Sequence, residues 1–136
     1  MKKLLIIWMF VAGMAACTQY QESHKDYDKY KAERSFVHDA IEKYSLDHSE
    51  ETHMAMNIHF DQDTMVYSFR YLKEIDEPPE RWQELSHNSC KFLKGYTVLT
   101  GVNYIRVRMW NTGQEVYNFT YKIREEKFDL IKIKKY

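Results

Sequence analysis

The sequence predicts an α+β domain: two helices packed on an antiparallel sheet of about five strands, in the order α-β-β-α-β-β-β. Two observations carry this. In two windows, around Phe36 to Tyr44 and around Trp82 to Tyr96, apolar residues recur three and four apart, as on the buried stripe of a helix. Elsewhere they alternate with polar residues, as on strands that bury one face. Such a set of elements closes its core as two layers, helices on one face of a sheet.

The first helix is expected over about residues 29 to 44. Tyr30, Phe36, Val37, Ala40, Ile41 and Tyr44 form its stripe, while Lys31, Glu33, Arg34, Asp39 and Glu42 fill the wet side. Residues 45 to 52 are polar and are expected to break it. Met54, Met56, Ile58 and Phe60 then alternate with Ala55, Asn57 and His59. Asp61-Gln62-Asp63 interrupts, and Met65, Tyr67, Phe69 and Tyr71 resume, which predicts a hairpin. Pro78-Pro79 ends the extended chain and suits a helix start, where the missing N–H of proline has no partner to lose. Trp82, Leu85, Ser89, Phe92, Leu93 and Tyr96 mark one face of the second helix, and Gly95 or Gly101 should lie near its end. After Gly101 the period returns to two, with Ile105, Val107 and Met109 opposing Tyr104, Arg106, Arg108 and Trp110. Asn111-Thr112-Gly113-Gln114 supplies turn chemistry. Tyr117, Phe119, Tyr121 and Ile123 mark the next strand, and Glu125-Glu126-Lys127 leads into a last one over residues 128 to 133. Every neighbouring strand pair is close enough for antiparallel pairing. In element order alone the arrangement resembles the cone-shaped α+β folds of nuclear-transport-factor-like and cystatin-like domains, a likeness without a motif that does not fix function.

Ahead of this domain the chain opens Met1-Lys2-Lys3 and continues through an apolar run from Leu4 to Ala16. A short basic end, an apolar stretch and small residues in that order read as a secretion signal. The run is too short for a hydrocarbon core that needs about 20 helical residues, and polar Thr18-Gln19-Tyr20-Gln21-Glu22 follows at once. Met14-Ala15-Ala16-Cys17 resembles the lipobox of bacterial lipoprotein precursors, with Met at the position where Leu is commoner. The resemblance covers residues 1 to 17 only. It implies removal of residues 1 to 16, a diacylglycerol on the Cys17 thiol and acylation of the new amino terminus. Two or more acyl chains hold a protein stably at a membrane where one holds it marginally. Thr18 stands where inner-membrane lipoproteins of many Gram-negative bacteria carry Asp, so the resemblance implies anchoring in the outer membrane. Residues 17 to 28 are then a lipidated tether, and residues 29 to 136 a single domain.

Composition narrows the function. About 120 residues remain after such cleavage, the size of one domain with one core. With Lys2 and Lys3 removed, the 20 basic residues fall to 18 against 20 acidic ones, so no nucleic-acid partner is expected. If Cys17 carries lipid, Cys90 has no partner for a disulfide within the chain. As a small apolar residue on a predicted helix it is expected to be buried.

Candidate chemistry is sparse. His48, His53 and His59, with Glu50, Glu51, Asp61 and Asp63 nearby, match no zinc spacing. His53 and His59, six residues apart along one strand, would stand about 20 Å apart. Neither a metal nor a cofactor is expected. His87 and Cys90, three apart on a helix, have the spacing of a base and a nucleophile but no further motif. The strongest candidate is the set Tyr104, Arg106, Arg108 and Trp110, which project together from one strand face. Tyr, Arg and Trp are the types enriched at binding hot spots. The sequence therefore predicts a lipid-anchored envelope protein, non-enzymatic, that binds a protein partner or a small ligand. The alternatives are an envelope enzyme using His87 and Cys90, and an immunity-type protein that blocks a toxin.

Overall fold

The computed structural model describes residues 28 to 136 apart from Glu126, so the expected secretion signal, Cys17 and all but the end of the expected tether lie outside the described residues. Seven elements follow in the predicted order: α1 (Lys31–Thr52), β1 (Met54–Asp61), β2 (Thr64–Tyr71), α2 (Pro79–Thr100), β3 (Tyr104–Asn111), β4 (Gln114–Arg124) and β5 (Lys127–Lys135). The strands form one sheet whose spatial order is the chain order. The α+β class is as expected.

One pairing differs from expectation. β1–β2, β3–β4 and β4–β5 are antiparallel, but β2 and β3 run parallel, Met65 beside Ile105 and Phe69 beside Met109. A parallel neighbour requires a crossover, and α2 is that crossover. Its entry is clamped by Asn111, which accepts from the Ile75 amide (3.1 Å) and donates to the Ile75 carbonyl (2.7 Å).

α1 also runs eight residues past its expected end. Residues 45 to 52, too polar to signal a stripe, are helical because the turn after Tyr44 carries Ser45 to the sheet, where its buried hydroxyl accepts from the Met56 amide (2.8 Å). The helix ends at His53, whose left-handed backbone (φ 56°) turns the chain into β1, so His53 is not on the strand. The two helix stripes sit differently from expectation. Val37, Ile41 and Ser45 are buried on α1 while Phe36 is exposed. On α2 the buried line is Trp82, Ser86, Cys90, Leu93, Thr97 and Thr100, with Phe92 exposed. α2 continues past Gly95 and stops at Gly101, in the left-handed region (φ 65°), where the Tyr30 ring occupies the space a Cβ would need. Arg34 Nε donates to the Thr100 carbonyl (3.2 Å), so the start of α1 holds the end of α2.

The core lies between helices and sheet. Ile58, Met65, Tyr67, Phe69, Ile105, Val107, Met109, Phe119 and Tyr121 rise from the strands to meet Val37, Ile41, Trp82, Cys90 and Leu93. An aromatic line runs Phe69, Tyr71, Trp82, Tyr117, Phe119, with successive ring centroids 5.1 to 6.3 Å apart. Inside it the Tyr121 hydroxyl donates to Ser86 Oγ, which in turn donates to the Gln83 carbonyl (2.7 Å). Among the described residues no helix covers the opposite sheet face.

Candidate functional site

Period-two alternation decides what stands on the open face. With Ile105, Val107 and Met109 fully buried beneath the helices, Tyr104, Arg106, Arg108 and Trp110 project together to the other side, each half-buried among its neighbours. Register then adds residues that single-strand reading missed. Arg70 lies beside Trp110, Ser68 and Asn118 flank Arg108, Thr120 lies beside Arg106, and Lys132 and Lys134 follow across β4.

Two guanidinium groups lie against the Trp110 ring, with the Arg70 carbon 4.7 Å and the Arg108 carbon 5.2 Å from its centroid. A cation over an indole face is attracted by the ring quadrupole. Arg108 is itself fixed by Glu115 through two parallel bonds, Nε to Oε1 at 3.0 Å and Nη2 to Oε2 at 2.9 Å. These bonds raise the already high Arg108 pKa further. The Glu115 side chain is only 11% exposed, so each partner keeps the other's charge compensated. A hollow of about 310 Å³ opens beside the stack, lined by Ala55, Asn57, Ser68, Arg70, Arg108 and Trp110 with Met56 at its edge.

The charges on this face are unbalanced. Arg70, Arg106, Arg108, Lys122, Arg124, Lys127, Lys132 and Lys134 stand against Asp61, Glu115 and Asp129. The whole chain is neutral, so acidic residues are concentrated elsewhere, and the open face attracts negative charge.

The other candidates separate. Cys90 is completely buried, which puts it out of reach of substrate, and burial pushes its thiol from 9.0 up to about 12, which keeps it protonated. His87 faces a different place, a hollow with Glu80, Gln83, Glu84 and Tyr121, so the pair does not form a base and nucleophile open to solvent. His48, His53 and His59 fall on three separate parts of the chain, on α1, on its cap and on β1. Among the described residues one trio, His38, Asp39 and Glu42, brings ligand atoms within 4.8 Å of one another, but it is a solvated face of α1. An apolar depression of about 220 Å³ between the helices and β1–β2 is lined by Tyr44, Met54, Met56, Phe69 and Phe92 among others. No helix among the described residues is long and apolar enough to cross a membrane.

No protein-family model, curated protein or solved structure matches the chain.

Proposed function

We propose that this chain is the precursor of an exported lipoprotein, anchored through Cys17, whose α+β domain acts by binding a negatively charged partner or ligand on its open sheet face. Anchoring is supported by the Met14-Ala15-Ala16-Cys17 sequence after a short apolar run, and the absence of Asp after Cys17 favours the outer membrane. Binding is supported by one observation above the rest: the half-buried Trp110 ring in contact with the guanidinium groups of Arg70 and Arg108 on a basic sheet face that no described helix covers. A large amphipathic ring beside Arg side chains is what a hot spot offers. Catalysis by His87 and Cys90 has no such support, since the thiol is enclosed in the core.

Two measurements test the reading. Cys17→Ala should abolish fatty-acid labelling and leave uncleaved precursor, and equal labelling of the variant would end the lipoprotein reading. For the face, the informative change is Trp110→Ala rather than Arg108→Ala, because loss of Arg108 would strand the mostly buried Glu115 carboxylate and confuse folding with binding. Trp110→Ala should unfold within about 1 kcal/mol of the parent while weakening capture of envelope partners by about 2 kcal/mol or more. Unchanged capture by the folded variant would place binding elsewhere.

A further inference from the structure

We infer that the trough over β4 on the open face is an oxyanion site that takes a phosphate group. The inference rests on the reading of that face as the binding face and names the chemistry it selects. The trough is a consequence of register. Thr120 and Asn118, short polar residues on β4, form a floor between the long side chains of β3 and β5. Arg106 walls one side, Lys132 and Lys134 the other, and Tyr136 closes one end around a hollow of about 240 Å³.

Three features favour an anion here: Arg106, Asn118 and Thr120 are half-buried, while Lys132, Lys134 and Tyr136 are exposed around them. First, the cations have no carboxylate partner among the described residues, and the contact made by Lys134 is with the Tyr136 ring, whose centroid lies 4.7 Å from its Nζ. Arg108 is paired with Glu115 and Arg124 with Asp129, but among the described residues no carboxylate lies within 4.0 Å of Arg106, Lys132 or Lys134. Second, they converge from strands on both sides of one central strand. Neighbouring strands are about 4.8 Å apart, so side chains of this length reach across from both walls to a single group over the floor. Like charges brought together in this way repel one another until an anion arrives. Third, the floor supplies neutral donors, the Thr120 hydroxyl and the Asn118 amide, to which the Tyr136 phenol adds another. A half-buried guanidinium fork with two ammonium groups suits a tetrahedral, multiply charged oxyanion better than a single planar carboxylate. A soluble phosphorylated ligand and a lipid headgroup present the same oxygens to the trough.

Calorimetric titration of the full chain in zwitterionic detergent with inorganic pyrophosphate, at constant ionic strength, is the test. Saturable binding is expected. Arg106→Ala should weaken it about tenfold or more, as should the Lys132→Ala, Lys134→Ala pair. Arg106→Lys, which keeps charge and stem but not the fork, should weaken it less. Thr120→Val changes no charge and should still cost several-fold, whereas Lys43→Ala, on the helix layer, should have no effect. Trp110→Ala should leave pyrophosphate binding intact, so failure of this inference and failure of the Trp110 reading are separable. Flotation with vesicles of phosphatidylcholine, with and without phosphatidic acid, distinguishes the sources. Retention on phosphatidic acid that is lost in Arg106→Ala indicates a headgroup, and retention indifferent to Arg106→Ala, with pyrophosphate binding still dependent on it, indicates a soluble ligand. The inference is overturned by the absence of saturable pyrophosphate binding, or by binding that Thr120→Val and Arg106→Lys leave untouched while Lys43→Ala weakens it.

Discussion

Arg106 and Arg108 stand two residues apart on one strand face and meet opposite fates. Arg108 is held in a two-bond fork by Glu115 and lies against the Trp110 ring. Arg106 has a hollow in front of it and, among the described residues, no carboxylate beside it. Cys90 illustrates the reverse case, a potentially reactive group made inert by its surroundings. Burial raises its thiol pKa from 9.0 to about 12, and burial likewise raises the Tyr121 phenol from 10.0 to about 12. A raised folded-state pKa means that the folded protein keeps a proton the unfolded chain has released. The stability this represents is complete below pH 9 and is lost as pH climbs toward 12, at up to about 1.4 kcal/mol per pH unit for each proton. Between pH 9 and 10 the thiol acts ahead of the phenol. Urea midpoints should therefore fall over that interval in the parent and stay flat in Cys90→Ala until near pH 10, even though the variant starts lower because of its small cavity. Parallel slopes in the two proteins would show that Cys90 is not the group responsible.

At the level of elements, α1 lies over β1, an edge of the sheet, and does more than bury a stripe. An exposed edge presents unpaired amides that invite pairing with another chain. Ser45 reaches across to the Met56 amide and occupies one of them. Ser45→Ala should cost about 1 to 3 kcal/mol by leaving that half-buried N–H without a partner, measurable as a drop in the urea midpoint. A variant as stable as the parent would mean that water replaces the hydroxyl there without loss. The opposite edge, β5, is guarded differently, by Lys127, Lys132, Lys134 and Lys135 along its length. The last two elements also show how much a bulge decides. The tight turn from Asn111 to Gln114 pairs Trp110 with Glu115, and Val116 is then an extra residue, so that Met109 meets Tyr117. Without it Arg108 would oppose the core residue Tyr117. A second bulge, at Ile131, separates the Tyr121–Leu130 pair from Thr120–Lys132.

For the molecule as a whole, one sheet joins a hairpin, β1–β2, to a three-stranded meander, β3–β4–β5, through the α2 crossover. Packing along the described chain begins with Tyr30 against Gly101. Deleting residues 1 to 26 should therefore leave a domain that unfolds in a single cooperative transition by heat or urea, with circular dichroism and tryptophan fluorescence coincident. Non-coincident transitions would show that the domain needs part of the deleted segment or that its two sheet halves fold apart. Charge is also organised at this scale. A neutral chain presents a basic face because helices carry much of the acid and the open strands much of the base, which steers anions to one side.

Much of this was legible in the residues alone. Element order, the β1–β2 hairpin, the proline start of α2, the 111–114 turn and the side of β3 that carries Tyr104, Arg106, Arg108 and Trp110 follow from periodicity and turn chemistry, because these depend on residues close in sequence. The length of α1 was not legible, since residues 45 to 52 carry little apolar signal and are held by a hydroxyl reaching another element. Nor was the parallel β2–β3 pair, because a crossover helix permits several placements of the next strand and only packing selects one. Arg70, Lys132 and Lys134 join the candidate face through cross-strand register, which two bulges shift. The sequence by itself determined which side chains β1, β2 and β3 turn to the core, through the alternation of the pleat, whereas the bulges at Val116 and Ile131 interrupt that alternation in β4 and β5. Only the tertiary structure decided which strands lie beside one another, and so which of those outward side chains meet to form the stack around Trp110 and the trough above Thr120.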